Sequence, residues 1–243
     1  MWFGHRRLVS WIAGLAIAGA VGTLALGGYF SGTVSEFSPA TAARRSPGLV
    51  AVFWSGDMGT RIGFGSDLPE RLARLGVPVL AVSSPAVFGQ ARSPAYARAA
   101  VASSLADAIS RSGERQVAVI GFSFGADVLA ATIGQLAPSL RHRIAQVVLV
   151  GPGTGIHFHA NPFGLFYRGP SEADPQAAAA SLRGLRLLCI FASAEADETL
   201  CHEPALRGGR LTEVAGGHMM LAHRDAVTRA VVDAVLRPPE PLS

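Results

Sequence analysis

Val117-Ala118-Val119-Ile120-Gly121-Phe122-Ser123-Phe124-Gly125 is the stretch on which the fold of this 243-residue chain turns. Four apolar residues running straight into a glycine read as a buried strand. Residues 124–136 then follow helical spacing, with Pro138 beyond their end. Gly-x-Ser-x-Gly alone fixes three positions and arises often by chance. Strand, sharp turn and helix in immediate succession is the setting that a nucleophile elbow requires. The flanking glycines remove Cβ atoms that would clash in the turn, which lifts the Ser123 hydroxyl to the positive end of the next helix. Ser123 is therefore the candidate nucleophile, and the Phe124 backbone N–H a candidate donor to a developing oxyanion. The plainer alternative is a tight turn in which Ser123 only caps the helix.

The flanking segments repeat the strand-and-helix alternation. Residues 49–54, 77–82, 147–150, 185–192 and 211–214 are apolar runs with strand character. Residues 68–75 have helical spacing with Ser66 or Asp67 as cap, 95–111 are Ala-rich and helical, 175–182 form a short helix, and 224–236 form the last helix. Residues 152–170, rich in Gly, Pro, His and aromatics, predict a loop or lid. Uniformly apolar strands between helices imply a mostly parallel sheet of about six strands, covered on both faces. With the elbow, this predicts an α/β-hydrolase fold whose ligands bind at the C-terminal edge of the strands.

That edge collects the remaining chemistry. In this fold the triad order is nucleophile, acid, histidine. His218, in Gly216-Gly217-His218 after the last predicted strand, is the candidate base. His202 and His223 also follow the acid candidates, but one lies in a loop beside Cys201 and the other on or near the final helix. The acid should follow the fifth strand, where Glu195, Asp197 and Glu198 lie; Asp197 is assigned, with Glu195 and Glu198 as alternatives. Ser55-Gly56-Asp57-Met58-Gly59, after the first strand, stands where the second oxyanion donor is expected, and the Asp57 N–H is assigned to it. The Asp57 side chain is a candidate contact for a cationic substrate group. Cys189 and Cys201 flank the acid loop and can pair in an oxidising compartment; in a reducing one they stay thiols. No metal-site spacing occurs in them, and the chemistry calls for no metal or cofactor.

Composition bounds the setting. With 49% hydrophobic and 16% charged residues, the chain can bury a core and is not globally disordered. Its net charge of +4 comes from scattered arginines, which suits an anionic lipid surface rather than nucleic acid. Arg6 and Arg7 precede a run without charge from Leu8 to Phe30, long enough for a bilayer-crossing helix of about 20 residues. The flanking arginines would stay cytoplasmic and the domain would be exported. The expected organisation is a membrane anchor or signal over 1–30, a flexible linker over 31–48 and a hydrolase domain over 49–243. Ala40-Thr41-Ala42 is the competing cleavage site for a removed signal.

The pairing of Ser55-Gly56-Asp57 with Gly121-Phe122-Ser123-Phe124-Gly125-Ala126-Asp127-Val128 resembles the VirJ/AcvB family of bacterial virulence-associated hydrolases. Cys189-Ile190-Phe191, Asp197, Cys201 and Gly216-Gly217-His218 match in order and approximate spacing, over about residues 49–236. The chain departs from the family at Met58-Gly59-Thr60, where Gly-Gly-Trp is usual. The resemblance implies a periplasmic protein linked to type IV secretion, with a secretion-system component as a possible partner. It also implies hydrolysis of aminoacylated phosphatidylglycerol, by attack of Ser123 on the lysyl or alanyl ester and release through an acyl-enzyme. A carboxylesterase or thioesterase for another acyl group is the competing enzyme. A non-catalytic envelope binding factor is the competing class, against which an ordered Ser, acid and His set argues.

Overall fold

The computed structural model describes residues 2–39, 48–114, 116–162, 167 and 169–237. Helix α1 (Trp2–Leu26) is followed by β1 (Val34–Phe37), β2 (Leu49–Trp54), α2 (Phe64–Arg74), β3 (Val79–Val82), α3 (Ser84–Phe88), α4 (Pro94–Ser112) and β4 (Gln116–Phe122). Then come α5 (Phe124–Thr132), α6 (Pro138–Arg141), β5 (Ile144–Val150), α7 (Pro175–Ser181), β6 (Leu187–Ala192), β7 (Arg210–Val214) and α8 (Arg224–Leu236). The strands form one seven-stranded sheet in the order β1-β3-β2-β4-β5-β6-β7. All neighbours are parallel except β1, which runs antiparallel to β3.

The apolar strands are buried because both faces are covered, as the uniform runs imply. On one face α4, α5 and α7 pack Val101, Leu105, Leu129 and Ala179 against Val52, Val119, Leu149 and Leu187. On the other, α2 and α8 pack Leu68, Leu72, Val227 and Val231 against Phe53, Ile120, Val148 and Ile190. The indole N–H of Trp54, buried in the first layer, donates to Ser104 Oγ at 3.2 Å.

Three sequence expectations need correction. The segment assigned to a linker over 31–48 contains β1, so the sheet has an additional strand. Val34-Ser35-Glu36-Phe37 sets two polar residues between two apolar ones, a four-residue run with neither alternation nor a continuous apolar stretch to mark a strand in Ser- and Pro-rich surroundings. Glu36 on this edge strand pairs with Arg111 of α4 at 2.7 Å. Residues 40–47, including Ala40-Thr41-Ala42, lie outside the described residues. Helix α2 starts at Phe64 after Gly63, whose φ of 60° only glycine takes readily, so neither Ser66 nor Asp67 is the cap. Asp67 instead lies inside the helix and pairs with Arg224 at 3.1 Å. Helix α5 is shorter than 124–136, closing in a 3₁₀ turn over Ile133–Gln135.

Among the described residues, no helix is long and apolar enough to cross a membrane. The side chains of the first nine residues of α1, with Arg6 and Arg7, are outside the description. The expected anchor rests on the sequence run from Leu8 to Phe30. Where α1 ends, the chain meets the domain. The Gly27 carbonyl oxygen lies 2.7 Å from where a Cβ on Gly59 would stand, and Gly28 abuts Ser83. These contacts set the junction beside the loop after β2, where burial, with the charge of Asp57 added, pushes the Tyr29 phenol up.

Candidate active site

Ser123 sits between β4 and α5 with φ 52° and ψ −124°, one of two non-glycine residues at positive φ among those described. Such a conformation is costly and persists only where the surroundings impose it. They do so through the two glycines. A Cβ on Gly121 would stand 2.6 Å from the Ala126 backbone, and one on Gly125 2.4 Å from the Trp54 carbonyl oxygen. The Ser123 N–H donates to the Val150 carbonyl at 2.7 Å, which fixes the elbow to the end of β5.

The Ser123 hydroxyl faces His218, with Oγ and Nε2 2.6 Å apart. The other ring nitrogen, Nδ1, is 2.8 Å from Glu195 Oε2. Serine, histidine and carboxylate thus stand in line, the geometry that lets an imidazole take the hydroxyl proton while a carboxylate stabilises the imidazolium. The carboxylate is Glu195, not the assigned Asp197. Strand β6 ends at Ala192 and turns at once into a 3₁₀ turn over Ser193–Glu195. Ser193 Oγ accepts from Gly216 N, and Ala194 N donates to the Gly216 carbonyl, both at 3.1 Å, so this turn is sewn to the histidine loop. Asp197 and Glu198 fall beyond it and are exposed.

Cys189 and Cys201 form a disulfide, as the oxidised alternative requires. Closing a loop of this size contributes about 2–4 kcal/mol through the unfolded state. It ties β6 to the segment beyond the acid turn. That segment also pairs with the end of β5, where Leu200 N donates to the Pro152 carbonyl at 3.1 Å.

The Ser55-Gly56-Asp57 loop lies against the elbow. A Cβ on Gly56 would be 3.2 Å from the Ser123 Cβ. The two assigned oxyanion donors, the Asp57 and Phe124 N–H groups, thus come from chain segments that meet at the nucleophile. The Asp57 side chain faces Asn161 and Tyr167 of the loop between β5 and α7. Its carboxylate accepts from Tyr167 Oη at 2.6 Å and Asn161 N at 2.8 Å. Burial raises the Asp57 carboxyl, with these hydrogen bonds and the nearby His218 opposing. Asp127, one turn into α5, accepts from Gly153 N at 2.8 Å. Burial raises its carboxyl well above the ordinary value, and the charges of Asp57 and Glu195 raise it further.

Neither Tyr167 nor Asn161 stood out in the sequence, since a loop has no periodicity to expose them. Tyr167 stacks on Phe124 at 6.2 Å between centroids and on His157 at 5.1 Å. Asp127 was visible only as a continuation of the elbow motif.

The raised Asp127 carboxyl has a pH signature. A carboxyl whose value is higher folded than unfolded binds its proton more tightly in the folded state. Its contribution is present below about pH 4, the unfolded value, and is lost as pH rises through the folded value. Asparagine keeps an oxygen for Gly153 N and cannot ionise. Asp127→Asn is expected to raise the denaturant midpoint at pH 8 and to lose that gain as the pH falls toward 4. A gain that grows with acidification would refute this.

A sheet of this topology with a Ser123–His218–Glu195 line at its C-terminal edge defines a serine hydrolase of the α/β-hydrolase fold. The chain belongs to the VirJ family: the model of the bacterial virulence protein (VirJ) family matches residues 48–238. No curated protein matches it in sequence. Among solved structures it is similar to Est1E from Butyrivibrio proteoclasticus, with TM-score 0.58 and 13% identity over 84% of this chain and 92% of that one. It is also similar to an esterase from Pyrobaculum calidifontis, with TM-score 0.55 and 18% identity over 84% and 80% of the two chains. Likeness at this identity speaks for the fold; the chemistry rests on the side chains above.

Proposed function

We propose that this protein is an exported, membrane-tethered serine esterase that cleaves an aminoacyl ester, with aminoacyl-phosphatidylglycerol as substrate. The observation that carries the esterase reading is the line from Ser123 through His218 to Glu195. His218 takes the Ser123 proton as Oγ attacks the ester carbonyl. The Phe124 and Asp57 N–H groups stabilise the oxyanion, and the alcohol leaves with the proton from His218. Water, activated by the same imidazole, then hydrolyses the acyl-enzyme.

Three features support the substrate class. Asp57 and Asp127 are carboxyls held above their ordinary values beside the nucleophile. Burial is the main cause for both, and an ammonium group arriving beside them offers these carboxyls the opposite charge that burial denies them, which favours an acyl group carrying a cation over a neutral one. The junction of α1 with the loop after β2 puts the site near the proposed anchor. The disulfide fits an oxidising compartment, here the periplasmic face of the inner membrane.

The experiment is hydrolysis by the purified full chain of lysyl- and alanyl-phosphatidylglycerol in phosphatidylglycerol vesicles, alongside a neutral short-chain acyl ester. Release of amino acid in excess over the neutral ester is expected. Turnover of the neutral ester alone would leave a serine esterase of another acyl class and refute the aminoacyl reading.

A further inference from the structure

The loop between β5 and α7 holds a group that the triad does not use. His157, His159 and Glu172 bring two imidazoles and one carboxylate together, with one ligating atom of each within 4.8 Å of the others. Glu172 Oε2 stands 3.8 Å from Nδ1 of both histidines. Donors bound at about 2.1 Å to a tetrahedral zinc stand about 3.4 Å apart, so each Glu172–histidine contact would close by under half an ångström, and the two imidazoles, whose ligating nitrogens stand within 4.8 Å, would draw together to seat an ion. Two imidazoles with one carboxylate suit a borderline transition metal rather than magnesium or calcium, which prefer all-oxygen shells.

The backbone pre-organises these ligands. Ser171 Oγ accepts from Ile156 N at 2.9 Å, and Glu172 N donates to the Ile156 carbonyl at 2.8 Å, which staples the two ends of the loop. Between the histidines, Phe158 N donates to Glu172 Oε2 at 2.7 Å and so orients the carboxylate. This is the outer-shell support that metal carboxylates carry. His157 is 8% exposed, whereas His159 and Glu172 are 33% and 40% exposed, which leaves an entry path and an open coordination position.

We propose that His157, His159 and Glu172 form a zinc site that braces the loop over the active site. Tyr167 packs on both imidazoles, at 5.1 and 5.8 Å between ring centroids, and its hydroxyl bonds Asp57. An ion joining the histidines to Glu172 fixes the platform on which Tyr167 rests, and through it the Asp57 carboxylate beside the nucleophile. The ion takes no part in the triad chemistry. This departs from the sequence expectation of no metal, because a His-x-His pair and a glutamate thirteen residues later match no common zinc spacing.

The test is Zn²⁺ competition against a chromophoric chelator, using the purified, chelator-stripped full chain. The metal alone is the probe, so the result is independent of whether the enzyme turns over any ester. One equivalent is expected to bind wild type. His159→Ala and Glu172→Gln are each expected to weaken it ~10-fold or more, and His142→Ala on another face to leave it unchanged. Circular dichroism checks the fold, and Glu172→Gln keeps an oxygen for Phe158 N should His159→Ala misfold. Absence of stoichiometric uptake by wild type, or equal affinity in both ligand variants, would overturn the proposal.

Discussion

Ser123→Ala is expected to reduce ester hydrolysis by a factor on the order of 10⁴ to 10⁶ in kcat, and to abolish labelling by a fluorophosphonate probe. The size of the effect follows from what the hydroxyl does. It is the atom that would bond the acyl carbon, and its one side-chain partner in the described structure is His218 at 2.6 Å. Without it the oxyanion donors and the acyl site remain, so a residual rate above water is expected rather than none. Folding should be little affected, because the elbow is imposed by Gly121, Gly125 and the Ser123 N–H bond to Val150, none of which the substitution touches. Alanine and serine also meet similar strain at φ 52°. Equal labelling of wild type and variant would remove Ser123 as the nucleophile and favour the envelope binding factor.

Glu195→Gln should follow with a loss of about 10³ to 10⁴ in kcat and little change in KM. The amide keeps the size of the side chain but carries no charge. It no longer stabilises the imidazolium that forms when His218 takes the proton, and it presents an N–H that favours the wrong tautomer. Asp197→Asn, two residues on and exposed, should stay within about twofold of wild type, as expected for a surface change away from the reacting groups. The pair decides the acid: a large loss in Asp197→Asn with a small one in Glu195→Gln would return the role to Asp197.

The sequence points to Asp197 and the fold uses Glu195 for a physical reason. The end of a buried strand is legible from apolar periodicity, so the region of the acid was found. Which of three carboxylates within four residues turns inward depends on whether the chain leaves the strand extended or in a 3₁₀ turn, and nothing local distinguishes them. Ser193 and Ala194 settle it through their bonds to Gly216, a contact across the sheet edge. Ser123, His218 and the cysteine pair were legible because each is tied to a strand end or a fixed spacing. Strand β1 was not, since four residues on an edge gain their order from pairing with β3. Tyr167 and Asn161 owe their place at Asp57 to the path of a long loop, which carries no periodic signal.

The contact of Gly27 and Gly28 with the loop after β2 bears on kinetics as well as architecture. For a chain tethered through α1, as proposed, the catalytic mouth stays at a fixed height above the leaflet, and enzyme and lipid ester meet by lateral diffusion in a plane. Turnover would then follow the mole fraction of ester in the surface, and diluting it with inert lipid would slow the reaction even at constant total ester. Freed of α1, the same domain would have to capture each vesicle from solution, and its rate would depend on vesicle concentration and salt.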